Sequence, residues 1–254
     1  MRGVADGQAR LASMRALTDA ALRGEPTGDP AFDGFGLVMR ECAIPARYAH
    51  DLIEGFALDA EDWRPQSEAD MLRYCYHVAG AVGCMMAVLM GVDPADESTL
   101  ERACDLGLAF QLANIARDIG EDQAAGRCYL PQQWLAEMHI PCGRHMEPGF
   151  RPQLVILARR LAGLAADYEA SARHGTGALP PRSAWAVLAA AGIYGDIARE
   201  VDRRGGHAWD DRVVTPKSEK LGWVFRAGLQ IVARSRRWPL SVPRPAHLWT
   251  RPKA

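Results

Sequence analysis

One helical stretch of the chain carries amides and acids where an apolar surface is expected. It runs QLANIARDIGEDQAAGRCYLP, from Gln111 to Pro131. At about 100° per residue, four of its polar residues fall within a stripe roughly 80° wide: Gln111, Asn114, Asp118 and Asp122. Three apolar residues lie immediately beside this stripe, namely Leu108, Ile115 and Ile119. The acids therefore border the face that the helix must bury, which is not the pattern of a merely solvated face.

The two acids of the stripe predict a cation site. Carboxylates at positions i and i+4 repel each other, and more strongly when they are desolvated. A hard cation would offset the repulsion, and Mg²⁺ combines one or two protein carboxylates with waters and phosphate oxygens. Asp118 and Asp122 are the predicted metal ligands, and Asn114 could add an oxygen. Arg117 could then pair with a phosphate, with Glu121 as outer support.

The same residues allow a purely structural interpretation. Asp118 and Asp122 could belong to an ion-pair network with Arg117 and Arg127, with no metal bound. Di-iron chemistry, another use of acids in helical bundles, requires Glu-x-x-His pairs, and the sequence contains none. Among the metal sites, magnesium with a diphosphate is therefore favoured over iron.

The elements that must position this stripe are helices. The chain has 254 residues, of which 48% are hydrophobic and 24% charged, as expected for one globular domain over residues 1–254. Helix formers dominate, and no alternating run predicts a sheet, so the predicted fold class is an all-α single helical bundle. The net charge of −1 argues against a nucleic-acid binder. The lack of a CxxC pair and of an apolar leader segment indicates the cytoplasm.

Local patterns predict two helix starts and one buried helix. Ser67 with Asp70, and Ser98 with Glu101, have the spacing of capping boxes, the second opening the acidic helix. The segment 74–90, YCYHVAGAVGCMMAVLM, has about the minimum length of a membrane span. It contains a histidine and two glycines, so a buried central helix is preferred. Its small residues would let a neighbouring helix or a long apolar ligand approach closely.

The last residues form a basic, proline-rich tail over 235–254. From Gln230 to Ala254 the chain has six basic residues and no acid: Arg234, Arg236, Arg237, Arg244, Arg251 and Lys253. Such a tail could be solvated, or it could contact an anionic membrane surface. Both alternatives remain open from the sequence.

The motifs together resemble the squalene and phytoene synthase family, and within it the bacterial phytoene synthases. The resemblance rests on QLANIARDIGED followed by GRCYLP, on YCYHVAGAVG upstream, and on AFDGFGLVMRECAIPARYAHDLIEGFALD, PPRSAWA and RPAHLW. It implies an isoprenoid synthase-type bundle with a central active-site cavity. It also implies head-to-head condensation of two geranylgeranyl diphosphates to phytoene through prephytoene diphosphate, with Mg²⁺ or Mn²⁺.

The resemblance also implies roles for individual residues. Asp118 and Asp122 match the second aspartate-rich motif, which binds metal and diphosphate, and Gln111, Asn114 and Arg117 match polar residues beside it. Tyr74 matches a tyrosine near the reacting carbons, and Asp59 an acid facing the cavity. Two further matches lie near the diphosphates, namely Tyr194 and Arg212. Prenyl-wall candidates, chosen as apolar residues of the same helices, are Val78, Val82, Met85, Met86 and Leu108.

One departure from the family pattern concerns the first aspartate-rich motif, which the sequence does not contain upstream. Asp29 and Asp33 have its spacing but accompany Pro30 and two glycines, so they are predicted to cap a helix. The chain is therefore expected to be an N-terminally incomplete synthase. A squalene- or dehydrosqualene-type synthase using farnesyl diphosphate, and a non-catalytic remnant that binds a prenyl diphosphate, are the alternatives.

Overall fold

The computed structural model describes residues 2–252, with side chains from Gly7 onward, and this part of the chain contains helices and no strand. Lys253 of the predicted tail lies outside the described residues. The helices are α1 (Arg2–Arg23), α2 (Pro30–Glu41), α3 (Arg47–Ala60), α4 (Glu68–Cys75), α5 (Ala81–Leu89), α6 (Glu97–Ala124), α7 (Gln132–Glu137), α8 (Arg151–Gly175), α9 (Pro181–Arg204) and α10 (Lys217–Arg237). The all-α prediction is confirmed.

Helix α6 lies at the centre of the bundle and carries the acidic stripe. It packs against α5, α8 and α9. Its first half is buried around most of its circumference, including Glu101, Arg102 and Asp105. Its second half places the stripe at the border between core and solvent, so that α6 both anchors the fold and presents the candidate site.

Capping chemistry explains where two of the helices begin. The Ser67 hydroxyl accepts from the Asp70 amide at 3.1 Å and the Asp70 carboxylate accepts from the Ser67 amide at 3.0 Å, so the first predicted capping box is confirmed. The second is wrong: α6 is capped by Asp96, whose carboxylate accepts from the Thr99 amide at 3.1 Å. Ser98 already lies inside the first turn, because an aspartate two residues earlier caps equally well.

The two acids with the spacing of a first aspartate-rich motif are capping residues. Asp29 is the N-cap of α2 and accepts from the Ala31 amide at 2.8 Å, while Pro30 occupies the first turn. Asp33 accepts from the Thr27 amide and hydroxyl at 2.8 and 2.7 Å. Both carboxylates are engaged by local backbone and hydroxyl donors, as the sequence predicted.

Helices α4 and α5 are joined by a π-helical turn, Tyr76–Gly80, and together form one apolar rod. Within the described residues, Glu68–Leu89 is the one helical run that is long and apolar enough to cross a bilayer by length and composition. In the folded protein, 56% of the most apolar 18 residues of this run are buried. The π-turn and α5 pack against both α3 and α6.

The small residues of this rod bring it against α6. A Cβ built on Gly107 of α6 would lie 2.3 Å from the Ala79 carbonyl oxygen, and one on Gly83 would lie 2.4 Å from the Ala103 carbonyl oxygen. Both values are far below van der Waals contact. The close approach that the sequence allowed is therefore made by a neighbouring helix.

Gly107→Ala is expected to lower the free energy of unfolding by about 1–3 kcal/mol, because the added methyl group forces α6 away from the π-helical turn. Urea unfolding followed by circular dichroism measures the change. Gly163→Ala in α8 is the matched control, since no atom lies within 4 Å of its Cβ position. That control is expected to be neutral or stabilising by up to about 1 kcal/mol, and equal losses in both variants would contradict the packing argument.

The final segment folds back onto the bundle instead of extending into solvent. We call residues 239–252 the C-terminal strap. Arg244 pairs with the fully buried Asp105 at 2.7 Å, and the Arg251 side chain, 0% exposed, pairs with Glu97 and with Glu101. Leu248 is buried as well. For these residues neither the solvated nor the membrane-bound tail applies, because their charges are matched by acids of α6.

Candidate active site

The polar stripe of α6 occupies a half-buried position. Gln111, Asn114, Asp118 and Asp122 are each partly exposed, whereas Leu108, Ile115 and Ile119 are at most 3% exposed. The helical period thus places the amides and acids together along one edge of the core, as the spacing predicted.

Asp118 is held by two arginines. Arg117 donates to both carboxylate oxygens, from Nε at 2.7 Å and from a terminal nitrogen at 2.5 Å. Arg212 reaches Asp118 at 3.1 Å and Glu121 at 2.5 Å. An ion-pair network therefore exists at the stripe, and its second arginine is Arg212 instead of the predicted Arg127.

Asp122 has a different environment. Its carboxylate forms no hydrogen bond or ion pair within the described residues. Burial, followed by the charge of Asp118, raises its pKa to about 6, while Arg127 opposes this rise. Asp122 is therefore the point of the stripe where negative charge is least compensated.

This donor set fits a magnesium ion that is shared with a bound phosphate. Within residues 2–252, no group of three or more histidines, cysteines or acids is arranged to hold a metal alone. Asp118, Asp122 and the Asn114 amide offer hard oxygen donors from successive turns. Because Mg²⁺ keeps several waters and takes phosphate oxygens, two carboxylates with an amide suffice for such a site.

A second group of polar residues forms around Asp59 of α3. Its Oδ1 atom accepts from the Tyr74 hydroxyl at 3.1 Å and from the Tyr129 hydroxyl at 2.8 Å. The Tyr74 ring is stacked against Trp63, with centroids 5.7 Å apart, and against Tyr129, at 4.8 Å. Two predicted site residues, Asp59 and Tyr74, therefore meet in one aromatic cluster.

The tyrosines of this aromatic cluster are neutral. Burial raises the pKa of Tyr129 to about 12 and raises that of Tyr74 still further. The sequence analysis did not single out Tyr129, although it lies in the quoted GRCYLP. The one signal in the sequence is that a buried tyrosine hydroxyl needs a hydrogen-bond acceptor. That acceptor is Asp59, 70 residues away, so no local pattern identifies it.

The aromatic cluster and the acidic stripe are electrostatically connected. The charge of Asp59 contributes to the raised pKa of Asp122. The pKa of Arg127 is raised, mainly by Tyr129 and also by Asp59 and Asp122. The pKa of Asp122 is therefore affected by charges of both the acidic stripe and the aromatic cluster.

An apolar cavity of about 470 Å³ lies between α5, α6 and α9. Predicted site residues in its wall are Val78, Val82, Met86, Gln111, Asn114 and Tyr194. The Tyr194 ring stacks on Phe110 with centroids 4.1 Å apart. Met85 and Leu108 are not part of this wall and belong to the buried core. The polar wall residues Gln111 and Asn114 join this cavity to the acidic stripe.

A larger cavity, of about 700 Å³, lies between α9 and α10 and contains none of the predicted site residues. Arg199, Arg203 and Arg204 in its wall are paired with neighbouring acids at 2.6–3.1 Å. Its charges are thus largely compensated within the protein, so it is a weaker candidate than the apolar cavity.

An all-α bundle with an acidic stripe beside an apolar cavity has the architecture of the isoprenoid synthases. The family model for squalene/phytoene synthase matches residues 2–219. The 15-cis-phytoene synthase of Pantoea ananas and the phytoene synthase of Pseudescherichia vulneris are each 46% identical over 244 residues, covering 96% of this chain and 77% of theirs. The crystal structure of a dehydrosqualene synthase in complex with ligand is 26% identical, with a TM-score of 0.78, over 87% of this chain and 78% of that one.

This chain therefore belongs to the squalene/phytoene synthase family, and the resemblance stated from its motifs is confirmed. The fold prediction is confirmed by the same structural similarity.

Proposed function

We propose that this chain is a phytoene synthase, a prenyltransferase that condenses two geranylgeranyl diphosphates head to head to phytoene through prephytoene diphosphate. The observation that carries the proposal is the acidic stripe of α6 at the border of an apolar cavity. The 46% identity to phytoene synthases, against 26% to a dehydrosqualene synthase, favours geranylgeranyl over farnesyl diphosphate.

Asp118, Asp122 and Asn114 would hold Mg²⁺ or Mn²⁺ together with the substrate diphosphate. When bound, the metal supplies positive charge that stabilises the leaving diphosphate. Arg117 and Arg212 add further positive charge at the same place, because both reach Asp118. On substrate binding they would exchange a carboxylate partner for a phosphate one.

The apolar walls protect the allylic cation that ionisation produces. Val78 and Val82 are hydrocarbon side chains without a nucleophilic atom, so the main competitor that these walls must exclude is water. Tyr74 would support the site from outside the cavity wall, because its ring is buried against Trp63 and Tyr129 while its hydroxyl donates to Asp59. Because its pKa is raised by burial, Tyr74 acts as a neutral phenol and not as a phenolate base.

The physical properties of the product suggest where the protein works. A C40 hydrocarbon is insoluble in water and must pass into lipid. We propose a cytoplasmic protein that contacts the inner face of the membrane peripherally.

Product formation from labelled geranylgeranyl diphosphate with Mg²⁺ tests the proposed reaction. Phytoene from this chain is the expected result, with farnesyl diphosphate as the competing substrate. A preference for farnesyl diphosphate would support the squalene-type alternative. Metal-dependent capture of diphosphate without any C40 product would support the non-catalytic one.

The affinity for Mg²⁺ and diphosphate is expected to fall below pH 6. Protons and metal compete for the Asp122 carboxylate, whose pKa is raised to about 6. The apparent affinity should therefore approach a tenfold loss per pH unit below that value. Isothermal titration calorimetry with inorganic diphosphate and Mg²⁺ measures this affinity. The titrations should cover about pH 5 to 8, a range that brackets the pKa of Asp122. A flat profile would place the metal elsewhere.

A further inference from the structure

Helix α10 presents a continuous apolar stripe to solvent. Four of its residues are largely exposed, namely Leu221 at 70%, Phe225 at 70%, Leu229 at 63% and Val232 at 90%. At about 100° per residue they fall within an arc of roughly 80°. Single exposed apolar residues are common, but four in one row on one helix indicate a contact surface. We call these four residues the α10 stripe.

The opposite face of α10 holds the helix to the bundle. Ala227 is fully buried against Leu188 and Ala189 of α9. The ring of Trp223 occupies the space over Gly192, where a Cβ would lie 2.1 Å from it. The orientation of α10 is thus fixed by packing, and among the described residues nothing covers the α10 stripe.

Positive charge surrounds the α10 stripe. Five basic residues of α10 are exposed and form no ion pair within the described residues: Lys217, Lys220, Arg226, Arg236 and Arg237. Glu219 is the one acid of the helix. Since the whole chain has a net charge of −1, this excess is a local property of α10.

We propose that the α10 stripe and these five cations dock the protein onto an anionic lipid bilayer, with α10 parallel to the membrane plane. A helix with an apolar face flanked by Lys and Arg inserts that face at the level of the headgroups and pairs its cations with anionic lipids. A second copy of this chain fits less well, because two such faces would bring their unpaired cations together.

The docking surface lies one helix away from the apolar cavity. The indole nitrogen of Trp185 in α9 donates to the Val224 carbonyl of α10 at 2.7 Å. Two residues further along α9, Val187 forms part of the cavity wall. The reason for membrane docking rests on the proposed function, because a hydrocarbon product must reach lipid. The docking surface itself depends only on the residues of α10.

Flotation with lipid vesicles, in the absence of substrate, tests the proposal. The unmodified protein is expected to float with phosphatidylglycerol vesicles at low salt and only weakly with phosphatidylcholine vesicles. The double variant Phe225→Ser with Leu229→Ser should reduce the bound fraction at least about tenfold, since two anchors are lost. Lys217→Gln combined with Arg226→Gln should reduce it mainly with anionic vesicles, and added salt should imitate that effect.

Ile156→Ser is the matched control, since Ile156 is a 51% exposed apolar residue of α8, outside the α10 stripe. It should float like the unmodified protein, and circular dichroism should show all variants folded. The proposal is overturned if the Phe225/Leu229 variant floats normally. It is also overturned if that variant changes only the oligomeric state in solution, because the stripe would then be a contact between copies of the chain. Prenyl transfer in detergent solution is measured separately, so a failure of the proposed function would not be mistaken for a failure of docking.

Discussion

Replacement of Asp122 by asparagine is expected to abolish product formation while stabilising the metal-free protein. The carboxylate is a proposed metal ligand, and loss of metal-based charge stabilisation of several kcal/mol corresponds to a rate loss of roughly 10³-fold or more. The asparagine keeps the shape of the side chain but removes its charge. The measurement is phytoene formed per unit time at saturating geranylgeranyl diphosphate and Mg²⁺.

The stability effect has the opposite sign because the folded state disfavours the Asp122 charge. The pKa is raised from 3.8 to about 6, so the charged carboxylate costs stability above pH 6, and this cost is absent below pH 3.8. At pH 8 the asparagine variant should therefore gain about 1–2 kcal/mol in the free energy of unfolding after allowance for solvent screening. The gain should disappear as the pH approaches about 4, which is the ordinary pKa of an aspartate carboxyl group.

Asp202→Asn is the control for this variant. Asp202 pairs with Arg159 on the surface at 2.9 Å, far along the chain from the acidic stripe. Its replacement should leave activity unchanged and alter stability by no more than about 0.5 kcal/mol. If Asp122→Asn retained full activity, the metal role proposed for the stripe would be wrong.

Replacement of Arg244 by alanine is expected to destabilise the protein by about 3–5 kcal/mol. The Asp105 carboxylate is fully buried, and Arg244 donates to it at 2.7 Å as well as to the Trp249 carbonyl at 2.7 Å. Without Arg244 the carboxylate keeps the Ser171 hydroxyl but loses its charge partner. Urea unfolding at pH 8 measures the loss, which amounts to a large part of the stability of an ordinary domain.

Two further variants separate the ion pair from a general effect of losing an arginine. Arg182→Ala removes an exposed arginine in the first turn of α9 and should change stability by less than about 0.5 kcal/mol. The double variant Asp105→Leu with Arg244→Met replaces both charges by apolar groups and should recover most of the loss. A loss below about 1 kcal/mol in Arg244→Ala would mean that the C-terminal strap is held mainly by its other contacts.

The acidic stripe could be predicted because its geometry is local. The helical period alone places Gln111, Asn114, Asp118 and Asp122 on one edge, and the neighbouring leucine and isoleucines show which side is buried. The cap of α6 was mispredicted for the same reason, since Asp96 and Ser98 both satisfy a local rule and only the hydrogen bonds decide between them.

The partners of the site residues depended on tertiary contacts. Asp59, Tyr74 and Tyr129 share hydrogen bonds across separations of 15 and 70 residues. No periodicity relates such positions, so the motifs could suggest Tyr74 and Asp59 only by resemblance and did not suggest Tyr129. The partner of Asp118 is a similar case, because Arg212 comes from the segment after α9 and not from the helix itself.

The sequence by itself determined the helices, the register of the acidic stripe and the family, because these follow from periodicity, capping and contiguous motifs. Only the tertiary structure decided which basic residues near the end of the chain are buried in ion pairs and which are exposed. Arg244 finds its acid 139 residues away and is buried with it, whereas Arg236 and Arg237 stay exposed beside the α10 stripe. The physical reason is that a charge can be buried only where packing brings an opposite charge to meet it, and that meeting is not encoded at either position alone.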